Sequence, residues 1–579
     1  MKLIIKEYLA SLRERDELDA MLPDLLSQMG FNVFSRPARG ARQIGVDVGA
    51  VGSLDGGPVK VYLFTIKPRD LTRSSWNDGT AQAVRPSLDE IQDAYIPNRL
   101  PTEHRDKHIV ICLCCGGDIQ EPARELWEGY TAQRTKGNLS FQEWNGDRLA
   151  DLIQEHFLRE DLLPEHARSR LRKALAMLDE PETAYKHFAG LVAALSASDG
   201  RKDADNLTAI RQIGICLWIL FAWGREAGNT EAVYRSAELA ALHGWKITSI
   251  YTEKSSKVAN AVLDAFMAIL STYRQVSSEF MARNVLPHVS KLHGLSSAVR
   301  GSCHLDINLC LFDVLGRLSI EGLWLYWGAM EFPDGEAKQQ AQEQYGACMT
   351  AITELISNNP ALLLPAKDDH VIDLSLAMLL LSTNSSFVAF IPGWLTELTK
   401  RCRFAYQVHG PYPCVLDEYD ELLEHPKKGD ADYRRNVTNG SVLYPVIAFW
   451  AALFDADDLY REIQKFKAED LQHCNFQFWC PDEGSEQHLY TASGSHGAVL
   501  SPIPVERPKD ELLKQIFEEC DQTPYFRELS ANRSRLWPLI LMASRHHRLP
   551  IPLHFFTGFR KVKNAEQGDT QQDAPTESI

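Results

Sequence analysis

The sequence predicts an α/β N-terminal domain, a mixed sheet with flanking helices, followed by a large and mainly α-helical region. Three observations carry that expectation. Short β-branched and aromatic runs alternate with amphipathic stretches over roughly the first 160 residues, apolar residues then recur at the helical period in longer segments, and the region from about residue 403 turns rich in Tyr, Pro, Trp and His. At 579 residues the chain is too long for one core, and about 150 residues per domain implies roughly three or four domains. The boundaries expected are 1–160, 161–402, 403–563 and a polar tail, 564–579, whose lack of apolar residues predicts disorder.

The elements follow in order. Leu18, Met21, Leu22, Leu25, Leu26 and Met29 share one helical face, with Gly30 as the stop. Phe31–Ser35 reads as a strand, Arg36–Arg42 as a basic loop, and Ile44–Val51 as a second strand with Asp47 in its middle. After the turn at Gly56-Gly57-Pro58, Val59–Lys67 reads as a central strand that Pro68 ends, because proline cannot donate to a ladder. Ser87–Tyr95 reads as helix, His108–Cys115 as strand, Ile119–Gln133 as helix, Leu139–Trp144 as strand and Asp147–His156 as helix. Beyond residue 165, helices are expected at Ala184–Ala197, Leu207–Ala227, Thr230–His243 and Ser256–Thr272, arranged as helical hairpins without a fixed repeat.

Composition narrows the function classes. Apolar content of 45% and charged content of 24% are those of a globular chain. The apolar runs Ile213–Trp223 and Val371–Ser382 fall short of the roughly 20 residues that span a bilayer and read as buried helices. The first residues mix charges with apolar groups and offer no secretory h-region, so a cytoplasmic protein is expected, with its twelve cysteines as free thiols. A net charge of −16 disfavours a uniformly basic nucleic-acid binder, yet residues 34–85 carry eight Lys/Arg against four acids, +4 locally.

Within that basic stretch lies the constellation that carries chemistry. Cutting a phosphodiester with a divalent ion needs oxygen ligands for the ion and a nearby cation. Asp47 in Gly45-Val46-Asp47-Val48 and Lys67 in Phe64-Thr65-Ile66-Lys67 stand twenty residues apart around a turn. The order helix, Gly30-Phe31, strand, Asp strand and x-Lys strand resembles the PD-(D/E)xK restriction-endonuclease-like superfamily. The downstream elements ending in Trp144-Asn145-Gly146-Asp147 are similar to the closing unit of its Mrr-like domains. The resemblance covers residues 8–158, about a quarter of the chain.

The resemblance implies a metal-dependent DNA endonuclease using magnesium or manganese, and by analogy an effector of bacterial restriction or antiviral defence with a helical sensing or assembly region. Asp47 and the Ile66 carbonyl would hold the metal, Lys67 would orient the attacking water, and Arg39, Arg42, Arg69, Arg73 and Gln82 would contact nucleic acid. Many family members cut duplexes as dimers, so self-association is also implied. The chain departs from the pattern at Thr65, where the family carries Glu, Asp or Gln. Either another carboxylate completes the site, foremost Glu17 and otherwise Asp55, Asp70 or Glu90, or the domain is catalytically degenerate and serves as a binding or scaffolding subunit. In an inert domain Asp47 would merely cap the strands or pair with Lys67.

Other signals are weaker. Strand alternation sends Cys112 and Cys114 to one face and Cys115 to the other, which predicts core despite His104 and His108 nearby. The cluster His473, Cys474, Cys480, His488 and His496 matches no zinc spacing, so zinc is not expected. No phosphate-binding glycine loop or dinucleotide fingerprint occurs, so no nucleotide cofactor is expected; any ATP-driven step falls to a separately encoded ATPase partner.

Overall fold

The computed structural model describes residues 6, 9, 18–36, 44–54, 56–80, 82–156, 165–197, 202–299 and 301–558. The tail, 564–579, and most of the basic loop therefore lie outside the described residues. The chain divides into two compact units, Met1–Val276 and Ser277–Ile579.

The first unit is built on a five-stranded mixed sheet in the order β1 (Asn32–Ser35), β2 (Val48–Gly52), β3 (Lys60–Lys67), β4 (Ile109–Cys115), β5 (Leu139–Trp144). The first three strands form an antiparallel meander; β4 joins β3 in parallel and β5 joins β4 in parallel, Lys67 standing beside Cys115 and Cys114 beside Trp144. Parallel neighbours need crossovers, supplied here by helical segments. These are α1 (Asp19–Gln28) before the sheet, the short α2 (Arg73–Trp76) and α3 (Val84–Glu90) between β3 and β4, α4 (Glu121–Arg134) between β4 and β5, and α5 (Gly146–His156) after it.

Every side chain of β4 is buried, as are Val61–Lys67 of β3, so these are central strands covered on both faces. On one face Val61, Leu63, Ile111 and Leu113 pack with Leu88 and Ile91 beside Trp127 and Tyr130. The alternate residues build an aromatic layer, with Tyr62 against Phe31 at 5.2 Å and Phe64 edge-on to Trp144 at 5.0 Å. Burying each such ring stabilises the fold by about 1.5–3 kcal/mol. Cys112, Cys114 and Cys115 are all fully buried in this core, and burial pushes the three thiols up.

The second strand differs from expectation. Ile44 and Gly45 have φ of 51° and 75°, so the chain turns there and β2 begins only at Val48, leaving Asp47 before the strand and not within it. The cause is tertiary: a Cβ on Gly45 would lie 2.2 Å from the Ser87 carbonyl, so α3 presses on the turn and only glycine fits.

Helices then take over: α6 (Glu165–Ala176), α7 (Pro181–Ser196), α8 (Asp203–Ala227), α9 (Glu231–Thr248) and α10 (Lys257–Phe280), within which the division between units falls. The helix α8 is long and apolar enough to cross a membrane, and most of its apolar stretch is buried inside the unit, as in a core helix. The buried Arg211 on α8 donates to Gln28 of α1 at 3.0 Å, joining the helical layer to the sheet domain inside this unit.

The second unit is also mainly helical, led by α11 (His304–Glu331), α12 (Glu336–Asn358), α13 (Val371–Leu381), α14 (Phe390–Gln407), α15 (Leu443–Leu453), α16 (Asp457–Glu469), α17 (Lys509–Gln522) and α18 (Pro538–His546), with two small two-stranded sheets. All of Val371–Leu381 is buried, as its composition predicts. Its interior carries charge: Arg548 reaches both carboxylate oxygens of the buried Asp373 at 3.2 and 3.0 Å, and also Asp369. Burial pushes the Asp373 carboxyl up to about 6 despite the guanidinium.

Candidate active site

The carboxyl ends of β3 and β4 reach one edge of the sheet at Lys67 and Cys115, and β5 ends there at Trp144, where parallel α/β sheets place their ligand sites. The loops leaving this edge are stitched together. Gly117 donates its amide to the Arg69 carbonyl at 3.1 Å, Asp118 to the Asp70 carboxylate at 2.9 Å, Leu71 to the Asp118 carbonyl at 2.9 Å, and Gly146 to the Gly117 carbonyl at 2.8 Å.

Asp47 is locked against the end of β3. Its amide donates to the Phe64 carbonyl at 2.8 Å, and its Oδ2 accepts the Ile66 amide at 2.7 Å, so the carboxylate takes the place of a strand partner just where β2 begins. Thr65 and Lys67 alternate with Ile66 and are both buried, at 1% and 8% exposure. The Thr65 hydroxyl is buried without a hydrogen-bond partner, although an unpaired buried hydroxyl costs about 1–3 kcal/mol. The fold thus assembles Asp47, Thr65, Ile66 and Lys67 into one short stretch of sheet edge.

The remaining predicted residues fare differently. Glu17, Arg39, Arg42 and Asp55 lie outside the described residues. Arg69 is exposed, with φ of 55°, just after the strand; Arg73 is exposed at the start of α2; and Gln82 is exposed ahead of α3. Asp70 spends a carboxylate oxygen on the loop bond to Asp118, which makes it a stitch between loops. Glu90 closes α3.

Two contributors were not read from the sequence. Gly45 sets the turn that delivers Asp47, and its only linear signal was a glycine two residues before the acid. Asp78 stands in the loop after α2, where hydrogen bonds from the Thr80 hydroxyl at 2.6 Å and amide at 2.9 Å hold its carboxyl below the usual range, with a smaller pull from the Lys67 ammonium. The Asp-x-Thr spacing of that turn was its signal.

Among the described residues, no three His, Cys, Asp or Glu side chains gather as a metal-holding group. The donors at this edge are all oxygen: the Asp47 carboxylate, the Thr65 hydroxyl and the Ile66 carbonyl. That set fits magnesium or manganese in kind, since such ions are held by one or two carboxylates together with substrate phosphate. No family model, curated protein or solved structure matches the chain.

Proposed function

We propose that the N-terminal α/β domain is a magnesium- or manganese-dependent DNA endonuclease of the restriction-endonuclease-like kind. In this reading the helical remainder senses or assembles, and the protein is an effector of a bacterial restriction or antiviral defence system. The supporting observation is the clamp of Asp47 onto the Thr65-Ile66-Lys67 end of β3, with an unpaired hydroxyl beside it. Asp47 and the Ile66 carbonyl would hold the ion, Thr65 would add a neutral oxygen, and a bound ion would polarise the phosphate and acidify a water.

Each residue then has a task. Lys67, at the strand's end, steadies the attacking water and the charge that develops on the phosphate. Arg69 and Arg73, exposed after β3, bind backbone phosphates and set the register of the duplex. Duplex cleavage takes one site per strand, hence a homodimer, and any remodelling of DNA would come from a separate ATPase. Supercoiled plasmid incubated with magnesium or manganese and the full chain should be nicked, while Asp47→Ala and Lys67→Ala should each lose cutting by about a hundredfold or more. Equal cutting by all three proteins would rule out this site.

A second reading draws on the same geometry. Asp47 already caps the Ile66 amide, and Thr65 supplies no charge, which favours a degenerate domain that binds nucleic acid or a protein partner without cutting. Tight DNA binding by the full chain with no cleavage under either metal would select it.

A further inference from the structure

Cations in a chain of net charge −16 have many acids to pair with. In the second unit Arg403 binds three at once, Glu462 at 2.8 Å, Asp470 at 2.9 Å and also Glu469. A neighbouring group of cations does not pair. Arg434, on the short helix Ala431–Val437, lies 4.1 Å over the Tyr406 ring, donates to the Tyr406 carbonyl at 2.7 Å and stands 3.2 Å from Nε2 of the exposed His409. Those contacts fix the guanidinium without neutralising it. Arg435, next along, is exposed. The loop ahead of the helix closes on the same place. A Cβ on Gly429 would lie 3.7 Å from the His409 ring, and the exposed Lys428 beside it holds its ammonium over the Tyr433 ring at 5.4 Å.

The positive field continues past the helix. The exposed His473 bonds Thr438, the residue that follows Val437, at 2.9 Å. Burial, and after it the positive charges of Arg435, Lys467 and Arg434, push the His473 imidazole below its ordinary range. Lys467 spends its ammonium on the Leu471, Gln472 and Cys474 carbonyls, which are neutral partners. The acids closest in sequence are engaged otherwise: Glu424 pairs with Lys427 at 2.9 Å, and Asp430 caps the short helix by accepting the Tyr433 amide at 2.8 Å. Among the described residues no carboxylate, that of Asp432 included, forms an ion pair with Lys428, Arg434, Arg435 or Lys467.

These groups run along the short helix, from Lys428 ahead of its first turn to His473 past its last, a span of about 10 Å at 1.5 Å per residue. A row of unpaired cations of that length suits a linear polyanion, which carries a charge about every 1.7 Å of duplex axis and gains counterion release at each contact. We propose that this face of the second unit binds the phosphate backbone of duplex DNA. Lys428 and Arg435 contact phosphates from exposed positions, and Arg434, held by Tyr406, supplies a fixed charge between them. The inference names what the helical remainder touches and does not rest on cleavage at the sheet edge.

The test is fluorescence anisotropy of a labelled DNA duplex with the full chain in EDTA, which stops metal-dependent cutting, over a series of salt concentrations. The wild type should bind, with affinity falling as salt rises. Lys428→Gln combined with Arg435→Gln should bind about tenfold more weakly, with a log–log salt slope shallower by about two, because each phosphate contact contributes about 0.9. Lys428→Arg combined with Arg435→Lys keeps both charges and should bind as the wild type does. No binding by the wild type, or the same affinity and slope in the glutamine variant, overturns the proposal. So does a loss confined to Arg69→Gln combined with Arg73→Gln, which would leave DNA binding to the sheet edge alone. Polyglutamate held as tightly as the duplex, with the same loss in the glutamine variant, would assign the face to an acidic protein and overturn the nucleic-acid assignment.

Discussion

Two buried polar sites, one in each unit, are handled in opposite ways. In the second, Arg548 donates from each guanidinium nitrogen, to both oxygens of Asp373 and to the carboxylate and carbonyl of Asp369. In the first, Thr65 keeps an equally buried hydroxyl unpaired beside Asp47 and Lys67. The charges of Arg548 and Asp373 answer each other and need nothing from outside, whereas the sheet edge holds an oxygen whose desolvation nothing in the described fold offsets. The paired site reads as structure, and the unpaired hydroxyl, at the end of β3 where a parallel sheet places its ligand sites, reads as a place for a ligand.

The largest expected effect tests the paired half. Arg548→Ala leaves Asp373 buried without its cation and should cost about 3 kcal/mol or more, read from urea unfolding at neutral pH. A loss below about 1 kcal/mol would mean that the network does not hold the second unit together. A related effect concerns pH. His370 is buried against Phe312, the rings stacked at 4.2 Å, and burial pushes its imidazole down to about 3. A histidine whose folded value lies below its unfolded value of about 6.5 contributes stability that is fully present above that pH and is lost as pH falls toward 3. His370→Leu should therefore lose less stability than the wild type between pH 6.5 and 3, by on the order of a few kcal/mol, and parallel curves for the two proteins would refute the assignment.

The smallest effect tests the unpaired half. Thr65→Val removes a hydroxyl with no partner and keeps the shape, so stability should rise by about 1 kcal/mol while any DNA cleavage falls. A clear destabilisation would show that the hydroxyl is satisfied in the folded protein.

Legibility in the sequence followed the range of the forces. Leu139–Trp144 and the Pro68 stop after Lys67 were readable because strand alternation and the missing proline N–H are local. Asp47 was misplaced within a strand because the turn at Ile44-Gly45 is forced by α3, whose approach no local pattern announces. Of the site, Asp47, Thr65 and Lys67 were named from the family resemblance, but the bond from the Ile66 amide to the Asp47 carboxylate depends on where β2 starts.

The most direct measurement is Mn2+ binding to the full chain, followed by electron paramagnetic resonance, in the wild type and Asp47→Ala. A bound ion should be present in the wild type and disappear in Asp47→Ala, measured with and without DNA, whose phosphate can complete the site. Binding that is identical in the wild type and Asp47→Ala would contradict the central claim that Asp47 anchors a metal at the end of β3.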